Sequence, residues 1–160
     1  FKVNPPLRTE SDVRALREGL VDGTIDVIAT DHAPHPKEAK DTDWASAAFG
    51  MVGLESAYSV AQEVLIDSGE SNFSRLAQVL SINGARISGL ESQGRYLEPG
   101  SPANLTFVQT KLSWSAQSQT KSMSENNPFS GLQMKGRVVH TIYSGEFSYR
   151  DNQIVQKERI

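Results

Sequence analysis

A short apolar run in this chain ends abruptly in acid and base groups: Ile25-Asp26-Val27-Ile28-Ala29-Thr30-Asp31-His32-Ala33-Pro34-His35. Its β-branched residues favour extended backbone. Before it, Thr9-Glu10-Ser11-Asp12 is a capping-box pattern, and Val13, Leu16 and Leu20 follow at helical spacing. Asp22-Gly23 then gives the stop signal. A helix joined to a strand by two or three residues is half of a βαβ unit. A buried strand with a carboxylate and imidazoles at its C-terminal tip is how (β/α) barrel enzymes build their sites. The fold class expected is therefore α/β.

The rest of the chain divides in two. Residues 36–48 are polar and read as a surface loop long enough to lie over a site. Helices are expected over 54–66, with Ala57, Val60, Ala61, Val64 and Leu65 inward, and over 73–82, with Leu76, Val79 and Leu80 inward. Asn83-Gly84 reads as a break, with a further helical turn over 85–90. After Gly94 the character changes to turns and strands: 105–108, 137–143, 147–149 and 154–155, with mainly loop over 109–128. The boundary falls near 92–95. The opening Phe1-Lys2-Val3 reads like the end of a strand already under way, so the chain is expected to be a piece of something longer.

Composition excludes more than it assigns. With 38% hydrophobic residues, 22% charged and a net charge of −3, nothing points to nucleic acid or an anionic membrane as a partner. No run approaches the length of a membrane span. The absence of cysteine removes disulfides and thiolate metal sites and fits a cytoplasmic protein.

Asp31 carries the chemistry best. Its bland role is a turn or cap residue. Its functional role is to bind zinc through one oxygen and exchange a proton through the other. His32 and His35 are either functional or satisfied polar residues of a tight turn. His140, in mid-strand, reads as structural. Asn4 sits in the rigid Asn4-Pro5-Pro6-Leu7-Arg8 loop, where it either bonds its own backbone or offers a donor and an acceptor to a small polar substrate. Arg8 suits bidentate binding of a carboxylate ligand or, preferably, a structural pairing with an acid across the barrel. Phe49-Gly50 is a core-and-hinge pair, or a place where a ligand approaches backbone closely. Trp44 and Trp114 carry no readable signal. Three histidines without a His-x-His pair cannot make a two-zinc site.

Several motifs resemble the type I bacterial dihydroorotases of the amidohydrolase superfamily. They are Lys2-Val3-Asn4-Pro5-Pro6-Leu7-Arg8, the segment from Asp22 to His35, Ala48-Phe49-Gly50-Met51-Val52-Gly53-Leu54-Glu55, Leu97-Glu98-Pro99-Gly100-Ser101-Pro102-Ala103-Asn104-Leu105, and Asn127-Pro128-Phe129 with Gly136-Arg137-Val138. Gly84 and Asn104 depart from the family's usual Pro and Asp. The resemblance implies the C-terminal part of a (β/α)8 barrel over 1–93 and part of a small composite β domain over 94–160. A barrel of this type needs about 250 residues, so more than half of it would lie elsewhere.

The resemblance further implies reversible cyclisation of N-carbamoyl-L-aspartate to L-dihydroorotate in pyrimidine biosynthesis, with two zinc ions per site. Asp31 would be a zinc ligand and the catalytic acid/base. Asn4, His35 and the backbone of Phe49 and Gly50 would contact substrate. The other metal ligands would lie upstream of Phe1. Protein partners to consider are the missing N-terminal part, a second copy, and an aspartate transcarbamoylase. Two other readings stay open: a related allantoinase or hydantoinase, and a non-catalytic partner of aspartate transcarbamoylase.

Overall fold

The computed structural model describes residues 1–116 and 121–156. Helix α1 spans Glu10–Asp22. Its capping box is formed: the Asp12 amide donates to Thr9 Oγ1, and the Thr9 amide donates to Asp12 Oδ2 at 3.0 Å. The Thr9 contacts hold the Asp12 carboxyl below its usual range. Gly23 closes the helix at φ 95°, a left-handed angle that suits glycine. Leu20 packs inward as expected, but Leu16 is exposed. The buried residue of this helix is Gly19, where the Ile25 side chain packs too closely to admit a larger neighbour comfortably.

Residues 25–30, expected as a strand, form no ladder. Side chains and two helix carbonyls hold this run instead, the first being that of Gly19, which accepts from the Ile25 amide at 2.8 Å. Arg75 donates to the carbonyls of Leu20 and Ile25, Asn83 donates to that of Asp26, and the Ile28 amide reaches the Val79 carbonyl at 2.9 Å. A parallel strand needs a parallel neighbour on its edge. The described residues supply only an isolated parallel bridge, His32 to Met51.

A one-turn helix, α2 (Lys37–Lys40), begins the polar loop. Helix α3 (Ala57–Gln62) runs on into a π-helical turn, Glu63–Asp67. Helix α4 (Phe73–Ala77) likewise passes through a π-turn, Gln78–Ile82, into α5 (Asn83–Ile87). Asn83-Gly84 is therefore no break. Asn83 is buried and its amide is spent on the 25–30 run, so tertiary contacts outweigh the cost of glycine. Ala61, Leu65, Leu76 and Val79 form the core, with Ile28 among the side chains packed on it.

Four antiparallel strands follow in the order β1 (Leu105–Ser115), β2 (Gln133–Tyr143), β3 (Glu146–Arg150) and β4 (Gln153–Ile154). Strand β1 runs seven residues beyond the expected end, because β2 supplies ladder partners as far as Ser115. The rest of the loop expected over 109–128 holds, except that 117–120 lie outside the described residues. His140 is structural as read: it meets the rings of Phe107 and Phe147 edge-on. Asn104 donates to Ser92 and accepts from the Ser144 amide, tying the sheet to the preceding turn.

Helix α3 is joined to the sheet by a polar seam. Ser59 and the Trp114 indole both donate to the Gly136 carbonyl. Gln62, 1% exposed, donates to the Thr110 carbonyl. Lys135 donates to Asp67 at 2.8 Å and holds that carboxyl below its usual range. Gly136 sits at φ +80°, and a Cβ there would overlap the Gln62 carboxamide. Gly136→Ala is therefore expected to destabilise the complete protein by about 3 kcal/mol through overpacking and backbone strain. Denaturant unfolding measures this, and an unchanged midpoint would show that Gln62 swings clear at no cost.

Candidate active site

Three segments distant in sequence meet at one place. The Gly50 amide donates to the Lys2 carbonyl at 2.9 Å, and the Ala33 amide to the Met51 carbonyl at 2.9 Å. The His35 ring nitrogen Nε2 lies 2.7 Å from the Phe49 carbonyl. A carbonyl only accepts, so Nε2 carries the proton and Nδ1 is left as an acceptor. The predicted residues His35, Phe49 and Gly50 are thus in direct register. Asn4, two residues beyond Lys2, is exposed and its side chain bonds to no described residue.

Gly50 is buried and has φ +129°. A Cβ there would stand 2.5 Å from the Ala33 Cβ and 3.2 Å from His35 Nε2. Glycine is thus required by close approach as well as by backbone angle.

Asp31 ends the extended run with φ 45°, is exposed, and takes no hydrogen bond or ion pair from the described residues. His32 is spent differently. Its Nδ1 accepts from the amides of Gly53 and Leu54 at 3.0 and 3.3 Å, so its Nε2 holds the proton and offers no lone pair. Among the described residues no three metal-ligating side chains converge. Asp31, unpartnered and of the right donor class, suits one position of a zinc site completed by other groups. Arg8 lies 3.7 Å from Asp12, an exposed acid four residues further along the chain, rather than against an acid across the barrel.

Sequence reasoning missed the side chains that build this place. Lys2 Nζ donates to the carbonyls of Ala45 and Ala47 and lies 4.4 Å from the centre of the Phe49 ring. Lys40 Nζ donates to those of Ala48 and Gly50, at 2.6 and 2.8 Å. Asn126 donates to the Gly50 carbonyl at 2.7 Å, and its own carbonyl accepts from the Val52 amide. No sequence signal distinguishes Lys40 or Asn126 from other polar residues in polar stretches. His35, Lys40 and Asn126 line one open cavity of about 240 Å³. A larger one of about 380 Å³ runs along residues 92–105 and touches none of the predicted site residues.

A profile described as the amidohydrolase family matches residues 3–147. The chain belongs to the amidohydrolase family. Among curated amidohydrolase relatives, the dihydroorotase of Streptomyces coelicolor is 48% identical over 155 residues, covering 96% of this chain and 36% of that protein. The dihydroorotase of Mycobacterium tuberculosis is 42% identical over 154 residues, covering 96% and 36%. This chain therefore spans about 36% of the length of these relatives.

Solved amidohydrolase structures show the same fold. The D-hydantoinase (dihydropyrimidinase) of a Thermus species superposes with a TM-score of 0.88 at 23% identity, over 98% of this chain and 35% of that one. The L-hydantoinase (dihydropyrimidinase) of Arthrobacter aurescens gives 0.85 at 27%, over 98% and 36%. The fold is that of a C-terminal portion of a TIM-barrel hydrolase with part of its β domain. This explains the unladdered run at 25–30: the chain covers only about a third of the fold that would flank it. No helix among the described residues is long and apolar enough to cross a membrane.

Proposed function

We propose that the complete protein is a dihydroorotase that interconverts N-carbamoyl-L-aspartate and L-dihydroorotate in cytoplasmic pyrimidine biosynthesis. The observation that carries this reading is the high identity to curated dihydroorotases along nearly the whole chain. Residues 1–93 would close the barrel and 94–160 would belong to the β domain. The main protein partner is the rest of the same polypeptide, which would bring the remaining ligands of two zinc ions. Zinc, when bound, polarises the amide carbonyl and acidifies water.

The residues of this chain then have defined tasks. In ring opening, Asp31 takes a proton from the attacking water as the carbon–oxygen bond forms. It passes that proton to the ring nitrogen as the carbon–nitrogen bond breaks, and cyclisation reverses the sequence. Asn4 offers its amide and His35 its Nδ1 lone pair to the substrate. The Phe49 carbonyl, with one lone pair on the His35 ring, keeps the other for a substrate N–H. The Gly50 carbonyl already accepts from two donors and the Gly50 amide already donates to the Lys2 carbonyl, so Gly50 serves by leaving room rather than by bonding.

Asn4→Ala and His35→Ala are each expected to raise KM on the order of tenfold with bound zinc unchanged, the loss of one substrate hydrogen bond. Unchanged KM in both variants would count against the binding roles. A second reading, consistent with the likeness to the L-hydantoinase at 27% identity, is ring opening of a hydantoin. The deciding assay offers L-dihydroorotate, allantoin and a hydantoin to the full-length zinc-loaded protein. Turnover of dihydroorotate supports the proposal. Turnover of the others alone overturns it, and turnover of none points to a non-catalytic partner of aspartate transcarbamoylase.

A further inference from the structure

The Lys40 ammonium bonds the two carbonyls that flank Phe49, those of Ala48 and Gly50. This grip leaves the Phe49 carbonyl to the His35 ring. Asn126 lies 76 residues beyond Gly50 and caps the same Gly50 oxygen. Two more bonds fasten its segment here: the Val52 amide to the Asn126 carbonyl at 3.0 Å, and the His35 amide to Ser124 Oγ at 3.4 Å. Ser124 is 4% exposed, so this strap lies packed rather than adrift in solvent. Both acceptor sites of the Gly50 carbonyl are thereby filled, one by a cation and one by an amide. The donors come from the loop before Gly50 and from the segment between β1 and β2.

We infer that Lys40 and Asn126 are positioning residues for the substrate, acting together through the Gly50 carbonyl. Neither need touch the substrate. Together they fix the plane of the peptide after Gly50 and the direction of the Phe49 carbonyl. They thereby set the distance between that carbonyl and His35. The inference rests on the functional reading above, in which His35 and Phe49 contact the substrate. It adds that the segment carrying Asn126 governs substrate affinity from outside the barrel portion.

The test uses the full-length zinc-loaded protein with L-dihydroorotate. Lys40→Met and Asn126→Leu are each expected to raise KM on the order of tenfold, the size of one charge-assisted or buried hydrogen bond. The turnover number should change far less, and zinc content and melting temperature should stay close to those of the unsubstituted protein. Lys40→Arg should recover most of the affinity, because a guanidinium also donates to two carbonyls. The double variant should fall short of the product of the two single effects, because both act on one carbonyl.

Unchanged KM in Asn126→Leu and in Lys40→Met overturns the inference, as does a fully multiplicative double variant. A KM rise that tracks a lowered melting temperature and is not rescued by Lys40→Arg also overturns it. Should Lys40→Met fail to fold, an unchanged KM in Asn126→Leu is enough to reject it. If the unsubstituted protein does not turn over dihydroorotate, the functional reading falls and takes this inference with it. If it does, and the variants keep their KM, only the inference falls.

Discussion

Asp31→Asn in the complete enzyme is expected to fold normally and to lose turnover by about a thousandfold, within the range that proton transfer by a placed carboxylate contributes. The two halves of that statement have separate grounds. Folding is spared because the Asp31 carboxylate takes no hydrogen bond or ion pair from the described residues and is exposed. Its backbone angle, φ 45°, is one that asparagine adopts as readily as aspartate. Turnover is lost because an amide cannot accept the proton from water and return it to the ring nitrogen. Circular dichroism and thermal unfolding check the first half, and the rate of dihydroorotate ring opening checks the second. Turnover within about tenfold of the unsubstituted enzyme would remove Asp31 from the proton path.

Gly50→Ala is expected to lower kcat/KM by about a hundredfold, the cost of displacing a positioned group by some 1 Å. The new Cβ would meet the Ala33 Cβ at 2.5 Å and the Ala33 carbonyl at 3.0 Å, in a backbone conformation that L residues rarely adopt. Relief requires residues 49–51 to move, and with them the Phe49 carbonyl leaves the His35 ring. The steady-state constants of the variant measure this directly. A variant with native constants would show that the loop yields without disturbing the site.

The capping box at Thr9, the stop at Gly23 and the inward residues Leu65, Leu76 and Val79 were all legible in the chain. They depend on local hydrogen bonding and on a 3.6-residue period, and both are properties of short segments. The resemblance named His35, Phe49 and Gly50 together as substrate contacts, but the bond between the His35 ring and the Phe49 carbonyl was not read from it. Nothing in residues 35–50 alone states that a histidine ring will find a carbonyl fourteen positions away.

Tertiary structure decided the rest. Asn83-Gly84 reads as a break, yet Asn83 is buried and its amide reaches the Asp26 carbonyl, which keeps the helix running. Strand β1 extends into a polar stretch because β2 offers it a ladder, and such long-range pairing leaves no local mark. The unassuming Lys40 and Asn126 became the holders of Gly50 once folding brought residues 40, 50 and 126 together. The sequence by itself determined where α1 and α4 start, that Leu65, Leu76 and Val79 face inward, and where an acid follows an extended run, because spacing and side-chain chemistry are local. Only the tertiary structure decided which polar side chain satisfies which buried carbonyl, because a hydrogen bond depends on distance in space and is indifferent to separation along the chain.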